Sequence, residues 1–117
     1  MGNGIEYIVY LAQSSKNQVQ STLILETTDV GALIKALAPL DRLLSNRGFK
    51  DRLKTRFSGR STYVVRWFHH GDRNVTLLKM FVFNNFRKFV KTLQDIDAVA
   101  RQTNLKNGSV WITVWMP

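Results

Sequence analysis

The sequence predicts an α+β protein: an antiparallel sheet of about five strands, covered on one face by two helices, in the order β-β-α-β-β-α-β. Three observations carry that expectation. Apolar and polar residues alternate along several short stretches, as strands with one buried face require. Two longer stretches repeat apolar residues every three or four positions, the period of a helix with one buried stripe. With 44% hydrophobic and 11% aromatic residues among 117, the chain can bury a core as a single domain over 1–117, and it is too aromatic for a disordered basic tail.

The elements follow in order. Residues 5–12 place Ile5, Tyr7, Val9 and Leu11 on one face, a strand. Ser14-Ser15-Lys16-Asn17 is a polar turn into a second strand, 19–27, where Val19, Ser21, Leu23 and Leu25 share a face. Asp29, supported by Thr27 and Thr28, caps a helix whose buried stripe is Leu33, Leu37, Leu40 and Leu44. Pro39 inside that stripe predicts a kink or a split, and Asn46 with Gly48 predicts the stop. Phe49, Leu53 and Phe57 then predict a second short amphipathic helix, ended by Ser58-Gly59.

Strands over 61–70 and 75–83 form a hairpin with a four-residue connection, Gly71-Asp72-Arg73-Asn74. Asn84 or Asn85 caps the last helix, which buries Phe86, Phe89, Val90, Leu93, Ile96 and Ala100 and exposes Arg87, Lys88, Lys91, Gln94, Asp95 and Arg101. After the turn at 104–108, a final strand covers 109–116. From residue 19 onward the element order resembles a ferredoxin-like fold with an extra N-terminal strand.

Charge is the informative part of the composition. Lys and Arg number 17 against 8 Asp and Glu, a formal net charge of +9. Residues 1–41 are slightly acidic, with Lys16 and Lys35 against Glu6, Glu26, Asp29 and Asp41, whereas 42–106 hold fifteen basic residues against four acidic ones, a net of +11. The densest stretch, 47–60, has six basic residues and one acidic one. A merely solvated surface mixes both signs, because neighbouring like charges repel. Such an excess points to a polyanionic partner, nucleic acid first.

Several chemistries are excluded or unsupported. The absence of cysteine removes disulfide scaffolds, thiolate zinc sites and cysteine nucleophiles, and fits an intracellular, reducing compartment. No apolar run is long enough for a membrane span, and Glu6 stands where a myristoylation signal at Gly2 needs Ser or Thr. His69 and His70 are strand neighbours that point to opposite faces, so they do not form a metal pair. Asp95 and Asp97 diverge on a helix, and no phosphate loop or nucleophile motif is present. The expectation is therefore a non-enzymatic protein without metal or cofactor.

The expected function is nucleic-acid binding, with single-stranded RNA or DNA preferred. Arg47, Lys50, Arg52, Lys54, Arg56 and Arg60 of the basic segment, with Arg66, Arg87, Lys88 and Lys91, hold phosphates. On the last strand Val110, Ile112 and Val114 face one way and Trp111 and Trp115 the other. The aliphatic trio suits the helix-covered side. The tryptophans then lie on the open side, where Tyr63 and Trp67 can join them as a base-stacking platform. The alternative is a protein-interaction module, an inhibitor or assembly subunit with an acidic partner. It dimerises through the same aromatic strands, and a homodimer is the expected assembly.

Overall fold

The computed structural model describes residues 5–15, 17–55, 62–103 and 107–116, and of Ser15 and residues 44–55 the backbone alone. Its elements are β1 (Glu6–Ser15), β2 (Gln18–Thr27), α1 (Val30–Thr55), β3 (Thr62–His70), β4 (Val75–Phe83), α2 (Phe86–Gln102) and β5 (Gly108–Trp115). This is the α+β order expected. The sheet is mixed rather than wholly antiparallel. Strands run β2-β1-β5-β3-β4, with β5 parallel to β1 and antiparallel to β3.

The N-terminal strand is therefore not appended to a ferredoxin-like core. It occupies an inner position, and β5 fills the slot between the two hairpins. The reason lies in β5 itself. Val110, Ile112 and Val114 are fully buried, and only the middle of a sheet places three such residues under both helices. Each is worth about 1.5–3 kcal/mol when withdrawn from water.

Local chemistry explains the connections. Ser15 pairs with Gln18, which leaves a two-residue hairpin turn in which Asn17 takes φ 69°. Asparagine tolerates that left-handed conformation better than most residues. At the start of α1, Asp29 Oδ1 accepts the backbone N–H of Gly31 at 2.9 Å and of Ala32 at 3.3 Å. Thr27 Oγ1 in turn accepts the Asp29 N–H at 3.0 Å. Asn85 caps α2 in the same way, accepting from the Lys88 N–H at 3.2 Å.

The expected split of the first helix, and its stop at Asn46 and Gly48, do not occur. α1 is one helix through Pro39, Asn46 and Gly48. Lys35, whose carbonyl loses its helical donor to Pro39, is exposed, as is Pro39, so the lost bond falls on the solvent side of the helix. Past Gly48 the helix-favouring Lys50, Arg52, Leu53 and Lys54 outweigh a glycine cost of about 0.5–1 kcal/mol. The expected continuation through Phe57 to Gly59 lies outside the described residues.

Both edge strands carry a β-bulge, Ile24 in β2 and Leu78 in β4. One extra residue reverses the alternation beyond it. Leu25 therefore pairs with Val9 on the helix side while Leu23 pairs with Tyr10 on the other, so the shared face expected for these two leucines is not formed. The helices cover one sheet face. Leu33 and Leu37 from α1 and Phe89, Leu93, Ile96 and Ala100 from α2 pack on Ile5, Tyr7, Val9, Tyr63, Val65 and the β5 trio.

Two tyrosines tie the layers together crosswise. Tyr7 of β1 donates its hydroxyl to Asp97 of α2 at 3.2 Å, and Tyr63 of β3 donates to Asp41 of α1. Each helix is thus anchored to the hairpin other than the one that immediately precedes it.

Candidate nucleic-acid interface and the open sheet face

The structure divides the expected site residues between two sides of the sheet. On the helical side, α2 turns Arg87, Lys88 and Lys91 to solvent while Phe89 and Leu93 lie fully buried beneath them. None of the three cations is ion-paired among the described residues. The first turn of α2 contains no acidic residue, so Arg87 and Lys88 crowd the positive end of the helix dipole, with Lys91 one turn further along. Arg87 and Lys88 each cost stability there, by about 0.3–1 kcal/mol for an exposed group. A bound anion reverses that cost, because helix N-termini favour negative charge.

Arg47, Lys50, Arg52 and Lys54 belong to the C-terminal half of α1, where the backbone alone is described. Arg56 and Arg60 lie outside the described residues. The N-terminal half of α1 and α2 share one face of the sheet, and the two helices touch each other.

Two expected site residues are not on the open face. Tyr63 is 2% exposed on the helix-covered side, stacked on Phe89 with ring centroids 4.5 Å apart. Trp67 packs against the same core, its indole N–H buried without a partner. Their register explains it: Tyr63 lies opposite Val114 and Trp67 opposite Val110, both helix-facing. Residues paired across a ladder share a face.

Arg66, Trp111 and Trp115 do lie on the open face. Across its middle runs a single row, Glu26–Ile8–Trp111–Arg66–Met80, one residue from each strand. Tyr10 stacks on Trp111, centroids 5.7 Å apart and planes 7° from parallel. The indole N–H of Trp111 donates to Ser109 Oγ at 3.0 Å, and that oxygen is 2.8 Å from His70 Nε2. With Arg66, Phe68 and Val75 these groups line a depression of about 450 Å³.

Tyr10 was missed as a site residue. The alternation of β1 places it with Ile8, opposite Tyr7 and Val9, but its meeting with Trp111 depends on the parallel β1–β5 pairing, for which the sequence carries no local signal. His69 and His70 part to opposite faces as expected. Among the described residues no three His, Asp or Glu side chains converge as a metal site, and no helix is long and apolar enough to cross a membrane.

Fold and site together define a class: a mixed five-strand α+β sheet with a basic helical layer on one side and a bare face on the other. No protein-family model, curated protein or solved structure matches the chain.

Proposed function

We propose that this chain is a non-enzymatic nucleic-acid-binding protein that grips phosphates with its helical layer. The observation that carries the reading is the N-terminal half of α2. Arg87, Lys88 and Lys91 are exposed and free of ion pairs among the described residues, and the first two are set where the helix dipole disfavours them. A helix under selection for stability alone places acids there. Arg47, Lys50, Arg52 and Lys54 of α1 extend the same cationic layer, with Arg56 and Arg60 following in sequence. The sheet aromatics play no part in this contact: Tyr63 and Trp67 are core residues, and Trp111 and Trp115 face away from α2.

Fluorescence anisotropy with single- and double-stranded RNA and DNA, each across a range of salt, tests the proposal. Log affinity falls linearly with log salt, with a slope of about −0.7 to −0.9 per phosphate neutralised. Replacing Arg87, Lys88 and Lys91 together by Ala flattens that slope by about 2–3. A salt-independent affinity, or an unchanged slope in the triple variant, overturns it.

A second reading, a protein-interaction module, is favoured by a separate observation: large apolar side chains stand exposed across the open sheet face. It concerns the opposite side of the molecule and is compatible with the first.

A further inference from the structure

We propose that the open sheet face is a self-association surface, and that two copies pack face to face about a two-fold axis running along β5. The apolar surface of this face is broad. It reaches both edges, with Val19 and Leu23 on β2 and Leu77, Met80 and Val82 on β4 each 46–62% exposed. Scattered exposed hydrophobes are ordinary, but a contiguous patch across a whole sheet marks an interface.

Nucleic acid is the poorer occupant. Bases stack on aromatic rings, and the described residues of the two outer strands present none on this face, their large apolar side chains there being aliphatic or thioether. Among the described strand residues Arg66 is the one Lys or Arg on this face, while Glu26 and Glu6 stand on it as well. The face is thus free of the positive excess of the chain. Two copies can approach through it without the repulsion that +9 on each would otherwise impose.

Charge placement then selects a second copy and its orientation. Glu26 and Arg66 sit in the same row, three strand spacings apart, roughly 14 Å. Neither is ion-paired among the described residues. β5 is the middle strand of five, so a two-fold axis along it lays β5 on β5 and β2 on β4. Leu23 then meets Val82 of the second copy, because both belong to the neighbouring row through Tyr10, Thr113 and Val64. Glu26 comes within one strand spacing, roughly 5 Å sideways, of the second copy's Arg66 across an inter-sheet gap of about 10 Å. An Arg and a Glu side chain span that gap. An axis across the strands instead sets Glu26 against Glu26 and Arg66 against Arg66, so like charges exclude it.

Sedimentation equilibrium of the full chain, without nucleic acid, is the test. The expected mass is twice 13.5 kDa. Arg66→Glu and Glu26→Arg each weaken the dimer at least tenfold, since each creates two like-charge contacts per dimer. The double variant, R66E with E26R, recovers the dimer because the pairs reform with signs exchanged. That recovery separates a lost contact from a damaged fold. A monomeric wild-type chain, single variants of unchanged mass, or a double variant that stays monomeric overturns the proposal. So does loss of oligonucleotide binding in Trp111→Ala at unchanged mass and folding, which would make the face a nucleic-acid platform. Because mass is read without nucleic acid, failure here leaves the salt-dependent reading of the helical layer untouched.

Discussion

Replacing Tyr7 by Phe removes one oxygen from the fully buried side of β1 and tests how the helices are anchored. The Tyr7 hydroxyl donates to Asp97 Oδ1 at 3.2 Å, and Asp97 Oδ2 accepts from Arg101 Nε at 2.8 Å. The carboxylate keeps its exposed Arg101 partner in the variant. The loss at neutral pH is therefore about 1–2 kcal/mol, toward the lower end for a hydrogen bond to a charged group. Burial first, and then the neighbouring Asp97 charge and hydrogen bond, push the Tyr7 hydroxyl far above its ordinary value of 10.0. The protonated form is the one the folded state holds. Tyr7 thus contributes its full stability below pH 10, and that contribution is lost as pH rises toward the folded value.

Above pH 10 the unfolded chain releases this proton and the folded chain does not, which costs the wild type about 1.4 kcal/mol per pH unit. The Phe variant has no such slope, while lysine titration is common to both. Urea unfolding followed by tryptophan fluorescence from pH 7 to 11.5 reads the difference. The wild-type advantage holds steady to about pH 10, vanishes roughly 1–1.5 units higher and then reverses. A deficit in Tyr7→Phe that stays constant or grows through pH 11 would refute the reasoning.

Backbone positions give further tests. A Cβ on Gly108 would lie 2.5 Å from the Phe68 carbonyl oxygen, a backbone atom that cannot step aside, so Gly108→Ala costs about 1–3 kcal/mol in chemical denaturation; an unchanged midpoint would show that β5 shifts freely. Pro39→Ala restores a helical donor to the exposed Lys35 carbonyl and raises stability by about 1–3 kcal/mol. An equal or lower melting temperature would mean that the helix geometry Pro39 sets is needed to seat Leu37 and Leu40.

What was legible in the sequence was parity and period; what was not was partnership. Leu33, Leu37, Phe89 and Leu93 announce their buried stripes because helical spacing is local, and Asp29 and Asn85 announce caps because side chain and backbone N–H lie within one turn. The β5 trio announces its burial by being aliphatic on one side only. β3 is apolar on both sides, so alternation groups Tyr63 with Val65 and Trp67 but does not tell which group the helices cover. That choice follows from the β3–β5 register. The bulge at Ile24 is likewise silent, since Val19 to Leu25 reads as unbroken alternation until pairing with β1 inserts the extra residue. Of the expected site, the cations of α2 were legible as the polar side of an amphipathic helix, whereas Glu26 and Met80 become site residues only through the row that joins five strands, and Tyr10 only through the parallel pairing of β1 with β5.

The division of chemistry between the two sides of the sheet makes the two proposals mutually supporting. A polyanion-binding layer must hold cations close together, and such a layer resists association with its own copy. The chain separates those demands with one sheet. Its cations stand on α2 and follow one another along α1, while the far face carries Glu26, Glu6 and Arg66 among apolar side chains. Pairing the open faces turns both helical layers outward, as far apart as two stacked sheets allow, so self-repulsion falls where the copies meet. The crosswise anchors Tyr7–Asp97 and Tyr63–Asp41 hold each helix to the sheet from the opposite hairpin. The crowded positive end of α2 is therefore kept in place by core contacts beneath it, and its unfavourable charges remain available to a partner that neutralises them.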